Sequence, residues 1–400
     1  MQNRKLHICI VTGEFPALTE TFITTKVLEL HKRGHRITVI KNHHSGQVNT
    51  SHLALIKQAN IEVLSSIDIG SVSDFAKAAA DDPSLVFKSF FKEPLNFKSE
   101  YKQTLQLTLL QKYPFDVIHF EFSGIAVSYL GAIKQLNSKT VVSCRGTAEK
   151  VKPISQPARK VQLEKLFSIV DGIHCVSADM ANTIQPYCRQ PEKVFINRPS
   201  IDTNTFKRSK PYTQAGTQLN ILTIGRFTFQ KGYLLGLMAM KELKLRGVSF
   251  TWKIVGDGPQ LEEIMDHIHA LQLGDCVELL GKKSRDEIIN LYNDVDVFLL
   301  PSVYEGIANV CLEAMAMELP VVATRSGGME EVISHGTDGL LCDVYNVGDM
   351  VNQLHSICYS AEKRTAMGIN ARQKVIDQFT LQRQADVFEE QYYRLVNNNN

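Results

Sequence analysis

Two kinds of hydrophobic patterning alternate along the chain. Short unbroken apolar runs bounded by turn residues read as strands buried on both faces, and segments with apolar positions three or four apart read as helices. LHICIVTG is the first such run and ends in a glycine turn; ETFITTKVLELHKRG follows with helical spacing, closed by Gly34, and HRITVIKN returns to strand. That is a βαβ unit, and FDVIHFE, KTVVSCRG, DGIHCVS and KVFINRPS continue the alternation. Residues 71–112 differ and read as helical, with FKSFFKEPLNFKSEYK at their centre. A second series opens at LNILTIGRF and runs through FTWKIVGDG, CVELLG, VDVFLLPS, LPVVATRSG and GLLCDVY. Strands alternating with helices predict parallel sheets covered on both faces, hence an α/β fold of two facing, Rossmann-like doubly wound domains. The expected boundaries are a first domain over 1–206, a polar turn-rich linker over 207–218 and a second domain over 219–375. Residues 376–396 predict a helix crossing back onto the first domain, and NNNN a frayed tail. Ligands of such sheets lie outside the carboxyl ends of the strands, so the expected site is the cleft between the domains.

Length and composition agree with this picture. The 400 residues are 44% hydrophobic and 22% charged, ordinary for a globular protein and too long for one typical core. The net charge of +2 hides an asymmetry. Residues 1–210 carry roughly +10 and the remainder roughly −8. A basic half suits an anionic membrane surface, a phosphate-bearing ligand or nucleic acid. The charges are scattered rather than in runs, so nucleic acid is not an expected partner. Eight cysteines form no CxxC and no zinc-spaced cluster, and read as small buried hydrophobes in a reducing compartment. The first strand begins at Lys5, leaving no room for a signal peptide, and no apolar run is long enough to span a bilayer. The expected location is the cytoplasm, at the inner face of the plasma membrane. FKSFFKEPLNFKSEYK, with Lys88, Lys92, Lys98 and Lys102 among aromatics, would suit an anionic bilayer; Pro94 breaks its amphipathic face and favours a helix pair packed on the first domain. Patterning says nothing of oligomeric state.

Several motifs fail on inspection. GDGPQL begins like a dinucleotide fingerprint, but Leu261 stands where the third glycine belongs, so a turn after a strand is the better reading. GKKS, at 281–284, lacks the upstream glycine of a phosphate loop. DVD, at 294–296, looks like a metal-binding pair but opens the apolar strand VFLLPS, where a strand-initiating aspartate is expected and no metal site. GRFTFQKG is stronger. Arg226 and Lys231 follow a strand that ends at Gly225 and precede a helix, which makes either an anion site or a solvated basic turn.

EGIANVCLE carries two glutamates, Glu305 and Glu313, eight positions apart. If the whole stretch were helical they would lie about 12 Å apart along the axis. A glycosidase pair needs carboxyls about 5–5.5 Å apart, or about 6.5–9.5 Å for inversion. A loop glutamate followed by a helix glutamate, with free helix amides between them, fits better and suits phosphate.

With these segments in hand the chain resembles glycosyltransferase family 4, of the GT-B fold. The second half carries the full series: GRFTFQKG, WKIVGDGP, LLGKKSRDEI, DVDVFLLPSVYEG and NVCLEAMAMELPVVATRSGG. In the first half, FPALTETFI is similar to bacterial exopolysaccharide enzymes of the colanic-acid type. The resemblance implies a retaining, metal-independent hexosyltransferase using a UDP- or GDP-sugar donor and a saccharide or lipid-linked acceptor, in exopolysaccharide, capsule or lipopolysaccharide synthesis. No further cofactor is implied. It places Arg226 and Lys231 on the donor diphosphate and Glu305 on the donor sugar's hydroxyls. Gly225 and the backbone of Gly306, Ile307, Ala308, Asn309 and Val310 would meet sugar and phosphate, Glu313 the ribose hydroxyls, and Gly281, Lys282 and Lys283 the base.

The first half departs from its relatives in places. A His-Gly commonly follows the strand corresponding to KTVVSC; here it is Arg145-Gly146. Arg145 would donate to sugar or phosphate but cannot act as a base. Gly13 and Glu14 on the first βα turn, with His119 in DVIHFEFSG, are the other candidates for the acceptor side. Glu20, in TETF, reads as a first-turn helix glutamate. Glu318 stands where relatives often have glycine and is read as structural. Two rival functions are a GT-B nucleotide-sugar epimerase and a sugar-nucleotide-binding protein without turnover. The Glu-x7-Glu pattern opposes the first, and Arg226, Lys231, Glu305 and Glu313 together oppose the second.

Overall fold

In a computed structural model, the described residues are 4–17, 20–42, 48–66, 97–210 and 218–397. Most of the lysine- and aromatic-bearing segment (87–96), the linker core (211–217) and the terminal asparagines (398–400) lie outside the described residues, as do the expectations placed on them.

The first sheet has seven parallel strands: β1 (His7–Thr12), β2 (Arg36–Lys41), β3 (Glu62–Ser65), β4 (Val117–Phe120), β5 (Lys139–Cys144), β6 (Gly172–Cys175) and β7 (Val194–Ile196), in the order β3-β2-β1-β4-β5-β6-β7. β1, β4 and β6 are buried along their whole length because both faces are covered. Ile8, Ile10, Val117 and Val141 pack with Ile23, Val27 and Leu30 of the helix Thr21–Lys32 on one face. Cys9, Val11, Ile118 and Val142 pack with Leu163, Leu166 and Phe167 of the helix Ala158–Ile169 on the other. β3 was not legible in the pattern. It is a half-buried edge strand whose EVLS carries two polar residues in place of an unbroken apolar run.

The second sheet has six parallel strands: β8 (Leu219–Ile224), β9 (Phe250–Val255), β10 (Val277–Leu279), β11 (Val297–Leu300), β12 (Val321–Thr324) and β13 (Leu340–Cys342), in the order β10-β9-β8-β11-β12-β13. Each sheet reverses its winding once, between β1 and β4 in the first and between β8 and β11 in the second. Loops leaving the two strands at such a point diverge and open a crevice at the carboxyl ends.

The chain divides into two compact units, one made of residues up to Val176 with Met180–Asn197 and the chain from Gln384, the other of Ser177–Asp179 and Arg198–Arg383. The expected boundary at 206 falls instead between Asn197 and Arg198. Ile201 N–H donates to Phe379 O at 2.8 Å, and Phe206 is buried beside Tyr292, both within the second unit. The final helix runs Leu381–Asn397, later than 376, because Ala361–Gln378 is a separate helix of the second unit. From Gln384 the chain belongs to the first unit: Phe388 and Tyr392 enter its core, and Arg33 Nη1 pairs with Asp386 at 2.6 Å and Glu389 at 3.0 Å. The start of the linker is pinned to the helix Arg285–Asn293, with Ser209 N–H on Asn293 Oδ1 at 2.9 Å.

All eight cysteines are buried and unpaired. Among the described residues no helix is long and apolar enough to cross a membrane.

Candidate active site

The second unit gathers its candidates at its winding reversal. β8 leads into Gly225 and Arg226, then a short turn Phe229–Lys231, then Gly232 and the helix Tyr233–Leu245. Gly232 has φ 65°, and a Cβ there would collide with Pro301 O, so a side chain at this position would push the β8 and β11 loops apart. Gln230 fastens them. Its carbonyl accepts from Val303 N–H at 2.8 Å, and its Nε2 donates to Tyr304 O at 2.9 Å. Lys231 Nζ then meets Glu305 Oε1 at 2.6 Å, and Ser302 Oγ donates to the same oxygen at 2.7 Å. Glu305 is only 7% exposed and so depends on these partners.

A third loop braces this one. Thr324, at the end of β12, bonds to Ser302 O, and Gly328 N–H donates to Gly306 O at 2.7 Å. Gly327, at φ 61°, lies against Glu305 O with no room for a Cβ. The backbone of Glu305 and Gly306 is thus held from both sides.

The helix Asn309–Ala316 follows. Its cap, Ala308, supplies no side-chain acceptor, so the first amides stay open to a ligand anion. Cys311, Leu312, Ala314, Met315 and Ala316 are buried, which explains the small apolar residues between and beyond the two glutamates. Glu313 lies inside this helix and Glu305 outside it, on separate networks. Glu313 accepts from Tyr292 OH at 3.0 Å, and burial pushes its carboxyl up to about 7 against the Tyr292 bond and the Arg285 charge.

Arg226 is exposed, and its guanidinium has no partner among the described residues. Gly281, at φ 66°, accepts from Gly256 N–H at 3.0 Å; Lys282 pairs with Asp257 at 3.1 Å and Lys283 with Glu287 at 3.1 Å. None of these touches the Lys231–Glu305 pair. GDGPQL is a turn: Asp257 O accepts from Phe227 N–H at 2.9 Å. In DVD, Asp296 accepts from both Asn220 N–H at 2.8 Å and Asn220 Nδ2 at 3.1 Å, tying β8 to β11, while Asp294 pairs with Lys210. Among the described residues no cluster of acidic, histidine or cysteine side chains could hold a metal.

The first unit also carries polar residues at its winding reversal. Gly13 follows β1, its carbonyl accepting from Asn42 N–H at 2.9 Å, and the Glu14 side chain has no partner among the described residues. Arg145 follows β5. Its Nη2 lies 2.5 Å from Glu121 Oε2, its Nε donates to Glu121 O at 3.1 Å, and its guanidinium lies 4.4 Å from the Phe22 ring centre. The other oxygen of Glu121 takes Lys26 Nζ at 2.6 Å. Glu20 is raised to about 7, mainly by burial, and its Oε2 has no partner among the described residues.

His119 sits differently from expectation. It is fully buried, with Nδ1 receiving Lys26 Nζ at 3.0 Å and Tyr392 OH at 2.6 Å. With Nδ1 the acceptor, Nε2–H donates to Ser143 Oγ at 2.8 Å, Ser143 to His174 Nδ1 at 2.7 Å, and His174 Nε2–H to Asn197 O at 2.8 Å. Burial holds His119 well below the usual histidine range and His174 down at about 3, so both are neutral links inside the unit.

Over residues 205–374 the chain matches the family described as glycosyl transferases group 1, and over 19–205 the one described as glycosyltransferase family 4. It is 26% identical over 352 residues to the putative colanic acid biosynthesis glycosyltransferase WcaL of Salmonella typhimurium, covering 82% of this chain and 84% of that one. To the amylovoran biosynthesis glycosyltransferase AmsK of Erwinia amylovora it is 26% identical over 356 residues, covering 84% and 86%. The crystal structure of HepE from Anabaena, in complex with UDP and glucose, matches with a TM-score of 0.73 at 18% identity, covering 96% and 98% of the two chains, a likeness of fold.

Proposed function

The chain belongs to glycosyltransferase family 4 and has the GT-B fold, and from that premise we propose that it is a retaining hexosyltransferase that uses a UDP- or GDP-sugar and needs no metal. The observation that carries the reading is the Lys231–Glu305 pair, 2.6 Å apart at the carboxyl ends of β8 and β11. Lys231 and Arg226 bind the donor diphosphate with the open amides of the helix Asn309–Ala316, and stabilise the charge that grows on the leaving phosphate. Glu305 accepts from hydroxyls of the donor sugar while Ser302 and Lys231 fix its orientation. Glu313 accepts from the ribose hydroxyls, and the loop Gly281–Lys283 borders the base. The bond from the anomeric carbon to the phosphate oxygen breaks, the acceptor oxygen bonds that carbon on the same face, and the hydroxyl proton passes to the departing phosphate. Two cations and helix amides supply the charge that a metal would otherwise bring, and Asp296 of DVD is already engaged with Asn220.

On the acceptor side, Arg145, Gly13 and Glu14 meet a saccharide or lipid-linked acceptor. WcaL and AmsK are named for colanic acid and amylovoran synthesis, which supports a place in bacterial exopolysaccharide, capsule or lipopolysaccharide assembly, at the inner face of the plasma membrane. The test is release of free nucleotide from a panel of UDP- and GDP-sugars, with and without cell-envelope lipid extract. Lys231→Ala and Glu305→Ala each abolish release and a chelator does not; activity that persists in both variants overturns the reading, and binding without release favours a protein without turnover.

A further inference from the structure

Lys26, Glu121 and Arg145 form a charge cluster in the first unit, and Lys26 and Glu121 have no part in the function proposed above. Glu121 is fully buried and Lys26 is 4% exposed. A buried carboxylate with one cation on each oxygen is an expensive arrangement, since apolar residues of similar volume would pack there at less desolvation cost. Its geometry is directional. Glu121 engages Arg145 twice, by carboxylate and by main-chain carbonyl, and the guanidinium also lies against the Phe22 ring. Nη2 and Nε are thereby used, and Nη1 has no partner among the described residues. On the other side Lys26 holds Glu121 Oε1 and is itself held by His119 Nδ1 and by the Phe388 ring, 4.0 Å from Nζ. The loop that carries Arg145 is fixed too: Glu149 Oε2 accepts from Arg145 N–H at 3.3 Å and Gly146 N–H at 3.2 Å.

We infer that Glu121 and Lys26 are positioning residues for Arg145, fixing its guanidinium so that Nη1 is presented to the substrate in one orientation. An arginine has many rotamers, and a hydrogen bond to substrate is strong only when its donor is already in place. Here one edge of the fork is spent on Glu121 so that the other is fixed. The positioning role rests on Arg145 meeting the substrate, as proposed above.

The groups facing Lys26 are Glu121 and His119 from β4 and the residue beyond it, Arg145 beyond β5, and Phe388 and Tyr392 from the helix Leu381–Asn397. Burial lowers the ammonium to about 8 against the pull of Glu121, so it is lost within a workable pH range. The histidines nearby are neutral throughout that range.

The test measures lipid-extract-dependent nucleotide release with whichever of UDP-glucose, UDP-galactose, UDP-N-acetylglucosamine, GDP-mannose or GDP-fucose turns over. Arg145→Ala, Glu121→Gln, the double variant and Lys26→Met are compared with the native chain. Glu121→Gln is expected to lower kcat/KM at least about tenfold alone and to have no further effect in the Arg145→Ala background. The native activity falls as pH rises through about 8. In Lys26→Met, which leaves Glu121 paired with Arg145 and whose fold is checked by circular dichroism, the rate is lower and flat across that range. An undiminished effect of Glu121→Gln in the Arg145→Ala background overturns the positioning role, as does an alkaline fall that survives in Lys26→Met. If Arg145→Ala alone is fully active, it is the substrate contact of Arg145 that fails, and the positioning role with it.

Discussion

Lys231 Nζ lies 2.6 Å from Glu305 Oε1, although the two residues are 74 positions apart and leave different strands. Each side chain holds the other in one direction, and Ser302 Oγ donates to the same carboxylate oxygen at 2.7 Å. Lys231→Ala leaves a nearly buried carboxylate with Ser302 alone. It should cost about 1–3 kcal/mol of stability and about 100- to 1,000-fold in turnover. Glu305→Gln keeps the Ser302 and Lys231 contacts in neutral form and should lose turnover with a smaller loss of stability. Urea unfolding and nucleotide release, measured on the same preparations, check both outcomes.

Gln230 contributes no group to the chemistry and still sets the site. Removing its amide in Gln230→Ala frees the Tyr304 carbonyl and loosens the loop that carries Glu305, which keeps only the main-chain bond from Val303 N–H to the residue 230 carbonyl. The expected result is a loss of about 1 kcal/mol in stability and about tenfold in kcat/KM, with UDP or GDP affinity changed less than turnover. Calorimetric titration with each nucleotide separates the two effects; an unchanged kcat/KM would count against the brace.

Glu313 has a pH signature of fixed sign. Its carboxyl titrates near 7 in the folded chain, against about 4.3 for an ordinary glutamate. The folded state therefore holds a proton that the unfolded state gives up, and the stability this contributes is full below about pH 4 and lost as pH rises to about 7. Glu313→Gln should remove about 3–4 kcal/mol of that pH-dependent loss and leave the part due to Glu20, which is raised in the same direction. If the ionised form grips the ribose, native affinity for UDP or GDP rises over the same pH window and the variant's does not. Denaturant titrations and calorimetry at pH 5, 6 and 7 test the pair of slopes.

Glu318 occupies the left-handed position that ends the helix Asn309–Ala316, with φ 59°. Glu318→Gly should stabilise the protein by about 0.5–1 kcal/mol, partly offset by losing a 3.7 Å pairing with Arg372. Glu318→Val, whose branched side chain resists that conformation, should destabilise it by about 1–2 kcal/mol. The two substitutions move the urea midpoint in opposite directions, and a shared direction would refute the account.

What could be read from the chain follows from how local each signal is. Buried parallel strands announce themselves as unbroken apolar runs, and twelve of the thirteen described strands were found that way; β3, short, polar and at the sheet edge, was not. Arg226, Lys231, Glu305 and Glu313 stand out as charged residues beside strand ends and helix starts, and the roles expected of them are what the family resemblance implies. Gln230 was not, because it works through main-chain atoms of residues 73 and 74 positions away. Lys26 reads as an ordinary helix lysine until folding brings Glu121 to it from 95 positions downstream. His119 misled for the complementary reason. A histidine in a strand looks the same whether its ring meets solvent or Tyr392, and the residue that decides this lies 273 positions further on.

The placement of Tyr392 and Phe388 also orders events during synthesis. Lys26, His119 and the apolar face around Ile10 are made before the second unit, and the segment that covers them is made after it. A nascent chain therefore closes the first unit only after the second has been made, and a polypeptide cut short before Gln384 carries a first unit with an open seam, fit for chaperone capture or proteolysis rather than for work.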